Sequence, residues 1–254
     1  MEVTRRERGC TLIGDGIEVR VAYHGGGSGA YLARVDEGDA RASDAAFSTM
    51  ARALRRELDG RSELVTWDDA KRTRINDALR ATGYTDYRRK LFVMRDLKEN
   101  LPPGGDFAWR TLAEIGEPAF INLMTRCAEG DPFPEDDFDP QQDWRELLEH
   151  AGASFDPNRW RAPLIDGEPA GVVLPTPYPG APIEGTISYV GILPAFRGRG
   201  FGRALHASGL RLLAEAGCTI YKGSTDHRNK AMARIFEKNG CPVDGVQLLM
   251  KRGE

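Results

Sequence analysis

The stretch Ile192-Leu193-Pro194-Ala195-Phe196-Arg197-Gly198-Arg199-Gly200-Phe201-Gly202-Arg203-Ala204-Leu205 joins a strand-like segment to a helical one through three glycines at alternate positions. Glycine admits positive φ and lets main chain approach a ligand closely. The first four N–H groups of a helix have no partner inside it. Aimed at one point, and aided by the helix dipole, they bind phosphate. Arg197 and Arg199 add positive charge beside that point. Two other phosphate loops fit less well. GxxxxGK[ST] is absent. A dinucleotide fold wants GxGxxG at the opening of a βαβ unit, with an acidic residue closing a later strand. Here the glycines come late, after a hairpin.

Working outward, Thr186–Leu193 reads as a strand, Arg203–Ala216 as a helix, Thr219–Gly223 as a strand, Asn229–Lys238 as a helix and Val246–Lys251 as a final strand. Upstream, Phe107–Leu112 is strand-like, Glu117–Cys127 and Gln141–Ala151 are helical, and Arg161–Ile165 and Gly171–Leu174 form a hairpin around Asp166-Gly167. The segment Pro175–Pro182 reads either as a lid or as a rigid proline-rich connection. Before these elements, Pro102-Pro103-Gly104-Gly105 can continue neither helix nor strand. The expected division is a first domain at 1–98, a linker at 99–105 and a second domain at 106–254.

The first domain reads β-β-α-β-α-β. Its strands are Glu18–Ala22, Gly29–Val35, Leu64–Trp67 and Lys90–Met94. Gly25-Gly26-Gly27 serves as a hairpin turn between the first two. Ser43–Leu58 and Arg72–Ala81 are helices, with Ser43 or Asp44 placed to cap the first. Aligning Gly83 with Gly240 sets Asp69 on Asp226, Arg72 on Asn229 and Leu79 on Phe236, so the two halves are weakly alike.

The chain has 254 residues, of which 41% are hydrophobic and 8% aromatic, enough to form a core. Thirty-five basic and 38 acidic residues leave a net charge of −3. That lacks the basic surplus of non-specific nucleic-acid binding, and no nucleic-acid partner is expected. No apolar run reaches the ~18–20 residues of a membrane span, and Met1–Arg8 lacks a secretion signal's apolar segment. No membrane partner is expected, and the localisation is read as cytoplasmic. Cys10, Cys127, Cys218 and Cys241 are scattered, which predicts reduced thiols and no metal site.

The order Arg197-x-x-Gly200-x-Gly202 resembles the acetyl-CoA-binding motif of the GNAT superfamily of N-acetyltransferases, with Ile192, Pro194 and Gly198 also on the pattern. Asn229-Lys230-Ala231-Met232-Ala233-Arg234-Ile235-Phe236-Glu237-Lys238-Asn239-Gly240-Cys241 resembles the family's later Asn-x-x-Ala-x-x-x-Tyr-x-x-x-Gly-Phe segment, its Ala displaced. The likeness is most specific over Thr186–Cys241. It implies a mixed α/β sheet in a tandem GNAT-like plan, with a complete C-terminal copy and a reduced N-terminal one. Glu37–Asp44 stands where the first copy would carry its phosphate loop, without alternating glycines.

By the same resemblance the acyl donor is acetyl-CoA. Ile192, Arg197, Gly198, Arg199, Gly200, Phe201, Gly202, Asn229 and Phe236 would bind it. The Thr186–Ile192 strand would splay from its neighbour to admit the pantetheine arm, with the pyrophosphate on the N–H groups of Arg199–Gly202. Two family positions depart: the usual basic Glu is Thr186 and the usual proton-donating Tyr is Phe236.

Strand parity puts Glu184, Thr186, Ser188 and Val190 on one face, and Tyr189 on the other. Glu184 either acts as base through a water or is an exposed loop-edge residue. Asp226 either serves the acceptor or caps the Asn229 helix, and Ser224 is a candidate proton donor. His206 and His227 have no partner in sequence that marks them as base or ligand. The acidic stretch Asp131–Pro140, with Phe133 and Phe138, either meets a cationic amine or is a solvated loop. The expected activity is acetyl transfer from acetyl-CoA to a primary amine, on a small molecule or a peptide, by direct attack. The alternative is a non-catalytic acyl-CoA-binding regulatory module.

Overall fold

Cys10, Leu12, Ile17, Val19 and Val21 alternate with outward-facing neighbours and build a meander at the N-terminus. The structure is a computed structural model describing residues 1–24, 29–37, 41–61, 63–131 and 139–253. The Gly25–Gly27 turn, residues 38–40 and most of the acidic stretch (132–138) lie outside the described residues.

The chain divides into two compact units, Met1–Leu91 with Gly245–Glu254, and Phe92–Asp244. This differs from the predicted 1–98, 99–105 and 106–254. The final strand packs with the first unit because Leu248 and Met250 are buried in its core.

In the first unit β1 (Glu2–Arg6), β2 (Gly9–Gly14), β3 (Ile17–His24) and β4 (Gly29–Glu37) run in sequence. β1 and β2 were not anticipated. Asp15 and Gly16 both take positive φ, 51° and 79°, in the tight turn that joins β2 to β3. Next come α1 (Asp44–Glu57), β5 (Glu63–Trp67), α2 (Thr73–Ala81) and the first half of β6 (Tyr84–Asp96). β13 (Val243–Arg252) enters between β5 and β6, antiparallel to β5 from Gln247–Trp67 to Lys251–Glu63. Phe47, Met50, Ala51 and Leu54 of α1, and Ile75 and Leu79 of α2, close the core over Leu12, Val19, Leu32 and Leu64.

The second unit orders its strands as the end of β6, β12 (Ile220–Asp226), β11 (Ala181–Ile192), β10 (Gly171–Tyr178), β8 (Arg161–Ile165) and β7 (Ala108–Thr111). β9 (Glu168–Pro169) pairs on β8. Asp166 and Gly167 form the expected turn, at φ 53° and 83°. Between β7 and β8 lie α3 (Leu112–Ile115), α4 (Glu117–Ala128) and α5 (Pro140–Ala151); α6 (Phe201–Glu215) follows β11 and α7 (Lys230–Lys238) follows β12.

α6 and α7 cover one face, where Leu205, Leu210, Leu213 and Phe236 meet Val173, Ile187 and Tyr221. α4 and α5 cover the other, where Phe120, Leu123 and Trp144 meet Trp160, Val172 and Leu174. The proline-rich segment is neither a lid nor a connection. Pro175 and Pro177 are part of β10, opposite Ile187 and Gly185, and Gly180 turns into β11.

Candidate active site

The site starts where β11 leaves its neighbour. β11 and β12 are parallel and pair at Glu184–Ile220 and Gly185–Tyr221. On its other edge β11 stays paired with β10 out to Ile192–Gly171. From Thr186 onward, no further rung joins β11 to β12 among the described residues. The two strands part there, as the resemblance implied, and one edge of β11 main chain is left without a strand partner.

At the far end of that opening, a short helical turn at Pro194–Phe196 leads into the glycine loop. Gly198 has φ 74° and Gly200 φ 84°, conformations that an L side chain takes only at a cost of about 1–2 kcal/mol. Gly200 is the N-cap of α6 and supplies no side-chain cap, so among the described residues the first N–H groups of the helix have no side-chain partner. Gly202 is a packing glycine. A Cβ there would lie 3.3 Å from Ile235 Cδ1 and 3.8 Å from Ile192 Cγ1, between α7 and β11.

The two arginines differ. The Arg197 guanidinium turns back: Nε donates to Ile192 O at 3.0 Å and Nη2 to Cys127 O at 2.9 Å. It braces the loop against the end of α4. Arg199 is exposed, its guanidinium 4.9 Å from the centre of the Phe201 ring. A cavity of about 540 Å³ in the same unit is lined by Leu101, Gly105, Trp109, Arg161, Ser208 and Arg211, and includes none of these glycines.

On the face of α4 and α5, Glu184 Oε2 lies 2.6 Å from Lys222 Nζ, both side chains about one-quarter exposed. By alternation along β12, exposed Ser224 shares the face of Lys222. Asp226 follows two residues later but is committed elsewhere. Its carboxylate accepts from Arg228 N, Nε and Nη2 at 2.8–2.9 Å. These bonds hold its pKa down to about 2, which leaves a poor base. Asp226 does not take the expected capping role: Asn229 Oδ1 caps α7 by accepting from Met232 N at 3.0 Å.

A bulge upsets the predicted parity. Val173 pairs with Val190 but Pro175 with Ile187, so Ser188 and Tyr189 together oppose Leu174. Ser188 donates to Thr176 Oγ1 at 2.9 Å, a hydroxyl that also accepts from Trp160 Nε1, and Tyr189 packs with the α4 core. Tyr189 therefore lies on the face of Ser188, and Val190 packs with the α6 core.

Burial pushes the Cys127 thiol up to about 12 and Cys241 to about 11, so neither is a ready nucleophile. His206 does have partners: Nε2 lies 3.2 Å from Tyr221 Oη and Nδ1 3.0 Å from Asn239 Nδ2. Phe236 is buried edge-on to His206, ring centres 5.4 Å apart. Lys222 was within reach of the sequence, since it alternates with Ser224. The link between His206, Tyr221 and Asn239 carries no local signal, because it joins α6, β12 and the turn after α7.

Residues 117–241 match the model of the acetyltransferase (GNAT) family. No curated protein matches the chain. Among solved structures, a GCN5-related N-acetyltransferase from Sphaerobacter thermophilus has a TM-score of 0.63 at 16% identity, over 97% of this chain and 80% of that one. A GCN5-related N-acetyltransferase from Kribbella flavida has a TM-score of 0.55 at 12% identity, over 96% and 89%. A tandem GNAT protein from the clavulanic acid biosynthesis pathway has a TM-score of 0.57 at 13% identity, over 97% and 83%. The fold likeness thus spans both units. With the parted strands and the glycine loop inside the matched segment, the chain carries over residues 117–241 a domain of the acetyltransferase (GNAT) family.

Proposed function

We infer that the protein is an N-acetyltransferase that moves acetyl from acetyl-CoA to a primary amine by direct attack. The observation that carries this reading is the parting of β11 from β12 beside a glycine-capped helix with free N–H groups. The N–H groups of Arg199–Gly202 receive the pyrophosphate, and Arg197 keeps their loop in place. The unpaired edge of β11 from Thr186 to Ile192 holds the pantetheine arm by main-chain hydrogen bonds. Phe201, Asn229 and Phe236 shape the walls. The amine comes from the face of Glu184, Lys222 and Ser224, with Glu184 taking its proton through a water. Holding amine and thioester in attack geometry supplies up to roughly 7–11 kcal/mol without a covalent intermediate. Five carboxylates between Asp131 and Pro140 favour a cationic acceptor on sequence grounds.

A second reading, a non-catalytic acyl-CoA-binding module, is favoured by one set of facts. Thr186 and Phe236 lack the groups that usually move protons, and Asp226 is held by Arg228. Both readings require acetyl-CoA to bind; turnover separates them. Calorimetry with acetyl-CoA, followed by thiol release with a panel of small and peptide amines, is the test. The first reading expects amine-dependent thiol release, and binding without release with any amine overturns it.

A further inference from the structure

If acetyl transfer is the reaction, the departing thiolate needs a proton and Phe236 has none to give. The second unit buries a different hydroxyl in the same core as that ring, on Tyr221. Tyr221 pairs with Gly185 at the last rung before β11 and β12 part. Its side chain leans along β12 past that rung. A Cβ on Gly223 would lie only 2.1 Å from Tyr221 Oη, so the glycine is what lets the hydroxyl lie there, level with the opening.

The hydrogen bonds around this hydroxyl have one consistent direction. Asn239 Nδ2 faces Arg203 O at 3.0 Å, which only an N–H can do, and its oxygen faces Arg203 Nε. The same Nδ2 meets His206 Nδ1 at 3.0 Å, so Nδ1 accepts. In a neutral imidazole the proton is then on Nε2, which donates to Tyr221 Oη at 3.2 Å. Burial keeps the imidazole neutral by pushing its pKa down to about 3. With its oxygen accepting from His206, Tyr221 retains its own proton for donation. His206 lies edge-on to both rings, 5.5 Å from Tyr221 and 5.4 Å from Phe236, so the hydroxyl stands among the same neighbours as the Phe236 ring.

We propose that Tyr221 is the proton donor to the CoA sulfur, with His206 and Asn239 as its positioning residues; this rests on the acetyltransferase reading above. The amine nitrogen bonds to the thioester carbon and gives one proton through water to Glu184. The carbon–sulfur bond breaks, its electron pair goes to sulfur, and Tyr221 Oη–H protonates that sulfur. The phenolate is held by His206 Nε2–H and, after the thiol leaves, recovers through solvent the proton that Glu184 gives up. Burial raises the Tyr221 pKa well above its ordinary value, and a thiolate formed beside it in the same surroundings is raised by the same cause, which keeps donor and acceptor closer to balance.

The experiment moves the hydroxyl from one ring to the other in the full chain. Tyr221→Phe is expected to lower kcat roughly a hundredfold or more, in the range of general acid catalysis, with acetyl-CoA affinity unchanged. Tyr221→Phe/Phe236→Tyr is expected to recover most of that loss, which a framework role for Tyr221 would not allow. Phe236→Tyr alone is expected not to raise kcat by as much as tenfold, because a donor is already present. This variant adds only a hydroxyl and serves if Tyr221→Phe fails to fold. Full kcat in Tyr221→Phe, a loss that Phe236→Tyr does not restore, or a tenfold gain from Phe236→Tyr alone each overturn the proposal. A wild-type chain that binds acetyl-CoA and acetylates no amine overturns the acetyltransferase reading, and this inference with it.

Discussion

Arg197 shows how a side chain that reads as a ligand contact in sequence becomes a brace in three dimensions. Its position beside the glycines was legible; its two carbonyl partners, at Ile192 and Cys127, are sixty-five residues apart in the chain. Arg197→Ala frees both carbonyls and is expected to cost about 1.5–3 kcal/mol, the range for hydrogen bonds from a charged donor. It should also weaken acetyl-CoA by loosening the loop, and Arg197→Lys should not restore either, because one ammonium cannot span both oxygens. Thermal melts with and without acetyl-CoA check this; full rescue by lysine would show that charge alone is at work. Asp226 gives a pH test. Its folded pKa, about 2, lies below the ordinary carboxylate value of 3.8 because Arg228 donates to it. Such a group adds stability above the unfolded pKa and loses it as pH falls through the folded one. Asp226→Asn is therefore expected to be less stable than wild type at pH 7. The gap should shrink between pH 4 and 2, as read by urea unfolding.

At the scale of elements, the first unit repeats the parting of strands without the chemistry. β4 and β5 are parallel and pair only from Gly29–Glu63 to Tyr31–Val65 among the described residues, while β4 runs on to Glu37. The helix that follows is filled by its own side chains. Ser43 Oγ accepts from Ala46 N, and Glu37 Oε2 accepts from Ala42 N. The Arg74 guanidinium then ties Glu37, Asp44 and the Ala42 carbonyl together. Carboxylates stand where a phosphate would, so the expected stoichiometry is one acetyl-CoA per chain. Gly200→Asp or Gly202→Asp should abolish it by placing a carboxylate among the α6 N–H groups. Calorimetry on the full chain is the check, and two sites per chain, or unchanged affinity in a folded Gly202→Asp, would show the assignment to be wrong. The glycine loop and its flanking strand and helix were legible because glycine spacing and apolar period are local. The bulge at Ser188–Tyr189 was not, since alternation in β11 looks regular until β10 is laid beside it. The prolines of β10 misled for a related reason: they read as breakers, yet a strand tolerates them where a ladder is already irregular. β1 was hidden by the charges of Arg5, Arg6, Glu7 and Arg8, which suit an exposed edge strand as well as a loop.

Across the whole molecule, the least legible feature is the unit to which the last strand belongs. Position along the chain assigns Val243–Arg252 to the second domain; packing assigns Gly245–Glu254 to the first. The cause is the pattern of buried side chains. Leu248 and Met250 are fully buried in the core of Leu12, Phe47, Met50 and Leu64, and β13 fills the place between β5 and β6. Losing a buried Leu or Met typically costs about 2–5 kcal/mol. Losing both, with a central strand, approaches the ~5–15 kcal/mol that holds a whole domain folded. A stop after Asp244 is therefore expected to unfold the first unit while leaving the β11–β12 opening and the α6 loop in the second. Ligand bound only by the native state stabilises it by about 2.7 kcal/mol at a hundred times Kd, so acetyl-CoA marks which transition belongs to the second unit. In calorimetric melts the truncated chain should keep the transition that acetyl-CoA raises and lose the other. If the acetyl-CoA-sensitive transition vanishes with the last ten residues, the strand supports the second unit and the division by packing is wrong.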